Sequence, residues 1–195
     1  KNNISVETAG RQLRYLNLTH IAKTEKYGKI ATAHNMNDQA ETILMWLIRG
    51  TGSEGLAGIP VSRKLDKNIS VIRPLLSVSR DLIELYAKKQ KLKFCTDKSN
   101  FSQDYTRNKI RLNILPELKK INPLVTEHFF ELSKIIAREN AYFDKKTASF
   151  ILKNTKISKN KITVRLKSFS NSDDVIKYRI LKNIMPVKKD SNHIN

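Results

Sequence analysis

KIATAHNMNDQAETILMWLI, residues 29–48, changes its periodicity once, and that change decides the fold class. Ile30, Ala31 and Ala33 make a short apolar run over 29–34, with the length and texture of a buried strand. From Ala40 onward the apolar residues fall at i, i+3, i+4, i+7 and i+8, namely Ala40, Ile43, Leu44, Leu47 and Ile48. That is one stripe of a helix, with Asn37 or Asp38 as its N-cap. A strand that passes through a short polar link into a helix is the repeating unit of an α/β protein.

The flanks extend this pattern in both directions. Upstream, Val6, Ala9, Leu13, Leu16 and His20 predict a helix over 6–26 that stops at Gly28. Downstream, RGTGSEGLAGIP (49–60) is a glycine loop. NISVIRPLL (68–76) reads as a strand ended by Pro74, Ser79 caps a helix running to about Lys89, and LKFCTD (92–97) reads as a short strand. The pattern then turns helical. One helix is expected over 105–120, and a long one opens at Asn122-Pro123, with Val125, Phe129, Leu132, Ile136 and Phe143 as its stripe. KITVRLK (161–167) fits a strand or an extended linker, and a last helix starts near Ser172. The tail PVKKDSNHIN is expected to be disordered. The fold class is therefore α/β: a partial parallel sheet flanked by helices, Rossmann-like, followed by a mainly helical subdomain.

The candidate chemistry sits in the same opening stretch. His34 is at the carboxyl end of a predicted strand, where open α/β sheets bind ligands. Asp38 and Glu41 share a face in the first turn of the next helix, whose free N–H groups suit phosphate. The trio would suit a nucleotide, a Mg²⁺ on its phosphates, or both. The same residues also read as a capping aspartate, a first-turn glutamate and a satisfied strand-end histidine. Gly50, Gly52 and Gly55 match G-x-G-x-x-G, but a helix precedes them where a dinucleotide fingerprint needs a strand. A tight loop is the reading that follows, with Arg49 complementing the helix end. Arg107 and Arg111, either side of Asn108, share a helix face and suit bidentate phosphate binding; a solvated basic face is the competing account.

Composition narrows the class. The 195 residues carry a net charge of +19. Residues 1–60 hold 7 basic and 5 acidic side chains, whereas 61–195 hold 30 and 13, so a polyanionic partner is expected of the second part. Abundant Lys, Asn and Ile also fit an A/T-rich coding sequence that raises lysine everywhere. No apolar run reaches the roughly 18 residues of a membrane span. The single cysteine, Cys95, excludes an intrachain disulfide and a CxxC pair, and points to a reducing cytoplasm.

Five segments in order resemble the tRNA(Ile)-lysidine synthetases of the N-type ATP pyrophosphatase superfamily. ETAGRQLRY (7–15) is similar to their E-x3-R-x2-RY helix, and ATAHNMNDQAET (31–42) to their AHHxxDQxET signature. RGTGSEGLAGIP matches RGxGxxGLxG, IRPLLSVSRDLI (72–83) matches RPLL-x3-R, and residues 97–123 match the block from DxSN through RNxIR to a final NP. Asn35 and Asn37 stand where the family often has a histidine and an acid. The resemblance implies an adenine nucleotide alpha hydrolase-like fold, with residues 1–105 as the C-terminal part of the α/β domain and 106–195 as a tRNA-binding subdomain. It implies an enzyme that uses ATP and Mg²⁺ to adenylate C2 of the wobble cytidine of a tRNA(Ile) with a CAU anticodon, and then joins free L-lysine there. A homodimer is allowed for. His34, Asp38 and Arg107 would be catalytic. Glu41, Thr42, Arg49, Gly50, Gly52, Gly55, Asn108 and Arg111 would bind ATP or substrate, and Mg²⁺ would come with ATP, with Asp38 as a candidate ligand. The superfamily's SGGxDS phosphate loop has no counterpart here, and no Gly-Gly pair occurs. The chain is thus expected to be an internal fragment, inactive alone. A non-catalytic basic RNA-binding module is the alternative. A cytidine thiolase would need the CxxC pairs that a single cysteine denies it.

Overall fold

The computed structural model describes residues 6–93, 106–158 and 161–185, with side chains from Thr8 onward. The predicted strand over 92–97 and the tail lie largely or wholly outside these residues, as does Cys95. The chain divides into two compact units, Lys1–Ala137 and Arg138–Asn195.

In the first unit, helix α1 (Val6–Thr24) leads into strand β1 (Lys29–Ala31), then helix α2 (Met36–Arg49) and the short helix α3 (Ser53–Leu56). Strands β2 (Ser62–Lys64) and β3 (Ser70–Ile72) follow, then helix α4 (Arg80–Lys89). The three-stranded sheet has the order β1-β3-β2. β1 runs parallel to β3, with Ile30 opposite Val71. The sheet is mixed rather than purely parallel, because β2 pairs antiparallel to β3 with Arg63 opposite Val71. The sequence does not predict β2: Ser62, Arg63 and Lys64 are all exposed and carry no alternating pattern. The turn that returns to β3 holds it in place, with Leu65 N–H donating to the Ile69 carbonyl at 2.9 Å.

Two apolar clusters organise this unit. Ala22 packs with Ile30, Ile69 and Val71, joined by Tyr15 and Leu18. The buried face of α1 is therefore Tyr15, Leu18 and Ala22. Leu13 and Leu16, placed on its apolar stripe by their spacing, are 60% and 66% exposed. The second cluster joins Ala40 and Leu44 of α2 to Ile110 and Leu115. These last two lie in a helical segment with three parts: α5 (Thr106–Lys109), a π-helical turn (Ile110–Ile114) and α6 (Leu115–Ile121). The expected single helix is thus widened in its middle, where Leu115 N–H reaches the Ile110 carbonyl. Helix α7 (Val125–Asn154) opens after Asn122, whose Oδ1 accepts from Leu124 N–H at 3.0 Å.

The second unit holds the rest of α7, a hairpin of β4 (Thr155–Ser158) and β5 (Lys161–Val164), and helices α8 (Leu166–Ser170) and α9 (Asp174–Ile184). Residues 161–164 are thus a strand, with Ile157 opposite Ile162. Arg179 of α9 is buried and ties the helices together, donating to Asp144 Oδ1 and Asn140 Oδ1, both at 2.6 Å.

Candidate active site at the amino end of helix α2

The link after β1 keeps to the strand for one more residue, because Thr32 N–H donates to the Ile72 carbonyl at 3.0 Å. His34 follows at the carboxyl end of the sheet, with Nδ1 2.9 Å from Thr32 Oγ1. Burial holds the imidazole below its ordinary pKa; Asp38 pulls the other way, while Arg73, Arg107 and Arg11 reinforce the lowering. The neutral form is therefore more favoured in His34 than in a free imidazole.

Asn35, not Asn37 or Asp38, caps α2. Its backbone is extended, and its Oδ1 accepts from the N–H groups of Asn37 at 3.0 Å and Asp38 at 3.1 Å. Asp38 Oδ2 accepts in return from Asn35 N–H at 2.9 Å, which completes a capping box. Asn37 Oδ1 accepts from Arg80 N–H at 3.0 Å and so binds the start of α4 to the start of α2. The two asparagines that depart from the family pattern both have structural duties.

The cap leaves Asp38 Oδ1 and all of Glu41 for the arginines. Arg107 places Nη2 2.8 Å from Asp38 Oδ1 and Nε 2.7 Å from Glu41 Oε2. Arg111 places Nε 2.6 Å from Glu41 Oε1 and Nη2 3.0 Å from Oε2. Glu41 is 1% exposed, so the two guanidiniums neutralise a carboxylate withdrawn from water. The hydrogen bond to Glu41 raises the pKa of Arg111 further. His34, Asp38, Glu41, Arg107 and Arg111 thus stand together.

Other predicted site residues stand elsewhere. Thr42 turns its hydroxyl to the Asp38 carbonyl at 2.8 Å, a bond inside its own helix. Asn108 is half-buried on α5. Arg49 and Gly50 end α2, about 16 Å along the axis from Asp38, where Gly50 takes φ +73° as the C-cap. Gly52 caps α3. Gly55 is buried, and a Cβ there would meet Thr51 Oγ1 and Trp46. The loop's glycines make a tight turn.

Residues that spacing did not single out complete the site. Arg73 of the IRPLL segment is buried (4% exposed), and its Nη1 donates to the Pro60 carbonyl at 2.5 Å. Its Nε has no partner among the described residues. The Tyr15 ring meets the guanidiniums of Arg11 and Arg63, each 5.7 Å from its centre. The signal for Arg11 and Tyr15 was the R-x2-RY segment and that for Arg73 the RPLL segment, whereas Arg63 had none. A cleft of about 410 Å³ runs past Arg11, Arg14, Tyr15 and His34 to Asp38. A second, of about 270 Å³, reaches Asp38 and Glu41 from the side of Asn37, Arg80 and Lys119. The described residues hold no group of three His, Cys, Asp or Glu side chains fit to bind a metal. Both Asp38 oxygens accept hydrogen bonds, Oδ2 from Asn35 N–H and Oδ1 from Arg107.

The chain is similar to known proteins in sequence and in fold. The family profile described as the PP-loop domain matches residues 1–118. The tRNA(Ile)-lysidine synthase of Petrotoga mobilis is 39% identical over 183 residues, 93% of this chain and 56% of that protein. That of Clostridioides difficile is 37% identical over 98% of this chain and 41% of its own length. That of Thermosipho africanus is 48% identical over 124 residues, 64% of this chain and 28% of that protein. The alignments thus cover between 28% and 56% of the length of these relatives. Among solved structures, the U34-tRNA thiolase NcsA of Methanococcus maripaludis, with its [4Fe-4S] cluster, aligns at a TM-score of 0.56 and 22% identity, covering 69% of this chain and 45% of that one. That likeness supports the fold. With the PP-loop profile covering more than half its residues and lysidine synthases as its homologues, the chain belongs to the PP-loop domain family, with the adenine nucleotide alpha hydrolase-like fold.

Proposed function

We propose that this chain forms part of an enzyme that ligates L-lysine to C2 of the wobble cytidine of tRNA(Ile) bearing a CAU anticodon. The carrying observation is the convergence of Asp38, Glu41, Arg107 and Arg111 beside His34, where two clefts meet at Asp38. The arginine-rich cleft suits the anionic ATP. The adenylation step brings two substrates, ATP and the tRNA, to the same point and so needs a second approach, which the other cleft supports. In the first step the cytidine oxygen on C2 takes the adenylyl group and pyrophosphate leaves. In the second the lysine amine attacks C2 and AMP leaves. His34, Asp38 and Arg107 are the proposed catalytic residues, with Glu41 and Arg111 holding them in place and Thr42 and Asn108 behind them. Mg²⁺ enters on the phosphates of ATP. Exposed Arg49, Gly50 and Gly52, at the far end of α2, are proposed to meet the RNA, and Gly55 shapes their loop. Residues 106–195 are proposed as the tRNA-binding part, the cytoplasm as the location and a homodimer as the assembly.

Asp38→Ala in the complete protein tests this reading. It should remove ATP-dependent adenylation of the tRNA, to below about 1% of wild type, with tRNA affinity within about twofold. Equal loss of folding and RNA binding would reduce Asp38 to a cap. Unaltered tRNA binding by a wild-type protein that adenylates nothing would instead favour the non-catalytic RNA-binding alternative.

A further inference from the structure

Gln39 lies between Asp38 and, two residues on, Glu41, but it points elsewhere. Successive residues on an α-helix turn by about 100°, so Gln39 leaves the face that Arg107 and Arg111 hold. It is 2% exposed, and its amide is fully used. Nε2 donates to the Ala57 carbonyl at 3.2 Å and to Ser133 Oγ at 2.8 Å, and Oε1 accepts from Ile59 N–H at 2.7 Å. Ser133 Oγ donates onward to the Phe130 carbonyl at 2.7 Å, so toward Gln39 it can only accept. This fixes which way the amide faces. Gly58 crosses the amide at φ +62°, and a Cβ there would stand 2.7 Å from Nε2. A glycine at 58 and a glutamine at 39 are two halves of one fitting.

We infer that Gln39 is a positioning residue for the reaction proposed above. α2 is gripped on two sides: the arginines hold its carboxylates, and the 57–59 loop and Ser133 of α7 hold Gln39. Without the amide, this side of α2 loses its polar anchor, while the arginines, the Asn37–Arg80 bond and the packing of Ala40 and Leu44 remain on the others. A rotation of α2 by about 20° would swing a carboxylate about 6 Å from the axis by roughly 2 Å, and displacements of about 1 Å can cost a hundredfold in rate. The kinetic consequence rests on the proposed function; the structural consequence does not.

The test uses the complete protein with Gln39→Leu, Gln39→Glu and Gly58→Ala, assayed where circular dichroism shows each folded. Gln39→Leu should lower kcat for lysine transfer about ten- to a hundredfold while KM for ATP stays within about threefold. Gly58→Ala should do the same, and the double variant should lose little more, because both changes remove the same contacts. In Gln39→Glu, a protonated carboxyl group restores one of the amide's two donors, toward the Ala57 carbonyl, and keeps the acceptor for Ile59 N–H, whereas the ionised form would face the Ala57 carbonyl without a donor. Activity of Gln39→Glu relative to wild type should therefore recover as pH falls, since burial raises a carboxyl pKa, and Gln39→Leu should not recover. Near-wild-type kcat in Gln39→Leu and Gly58→Ala would overturn the inference. If the wild-type protein transfers no lysine, the function reading falls, and hydrogen exchange decides this one alone. Faster exchange, by about tenfold or more, at both Ile59 and the first turn of α2 in Gln39→Leu sustains it, and an unchanged first turn refutes it.

Discussion

At His34 the chemistry and the folding free energy respond to pH in the same direction. The ring is half-buried, hydrogen-bonded to Thr32, and faced by Asp38 and by the cations Arg73, Arg107 and Arg11. Its folded-state pKa lies below the ordinary 6.5. The unfolded chain therefore binds the proton first as pH falls. Stability from the neutral ring is complete above the ordinary value of 6.5 and is lost as pH drops from there toward the folded-state value. If neutral His34 serves the reaction, kcat/KM in the complete protein should fall on the acid side with a midpoint below 6.5. His34→Ala should remove that limb from its residual activity. A limb centred above the ordinary histidine value, or one that persists in the variant, would assign the titration to another group.

At the scale of elements, the junction of α2 with α4 gives a direct test. Asn37 Oδ1 accepts the Arg80 N–H while Ser79 Oγ takes that of Leu82, so two side chains serve the first turn of α4. Asn37→Ala removes one acceptor and should cost about 1 kcal/mol in urea unfolding, as for a lost helix cap. Asn37→Asp keeps the acceptor, adds charge at a helix N-terminus, and should hold or slightly raise stability. Equal stability of the alanine variant would mean that water serves Arg80 as well. Helix α2 is legible in the sequence because Ala40, Ile43 and Leu44 repeat at helical spacing and are buried. Its cap is not, since Asn35, Asn37 and Asp38 all have capping chemistry and only the backbone selects one. α1 misleads because Leu13 and Leu16 are as periodic as the Tyr15, Leu18 and Ala22 face that packs on the sheet. β2 has no apolar residue and leaves no trace in the pattern. In α7 the buried positions Thr126, Ser133, Asn140 and Thr147 recur every seven residues, a polar seam that hydrophobicity cannot reveal. The carboxylate–arginine cluster is half legible. Each pair shows its own shared face, but their meeting across 66 residues is a tertiary fact.

For the whole chain, the question is whether a net charge of +19 has a partner. The hairpin makes this testable, since Lys156 and Lys161 project from β4 and β5 and Lys153 from the end of α7, all exposed. Each lysine that neutralises an RNA phosphate releases counterions, and the logarithm of affinity then falls with the logarithm of salt by about 0.7–0.9 per contact. For the complete protein binding tRNA(Ile), we expect a slope of about −4 or steeper, or roughly 250-fold weaker binding across a fourfold rise in salt. Changing Lys153, Lys156 and Lys161 together to Gln should make the slope shallower by about 2 to 3. Binding should weaken alike for all tRNA sequences, because phosphates carry no sequence information. Asp38→Ala should leave the slope alone, which separates gripping the RNA from acting on it. A slope that the triple variant does not change would mean that these lysines are solvated and that the coding sequence's A/T bias, not RNA, accounts for the charge of the hairpin.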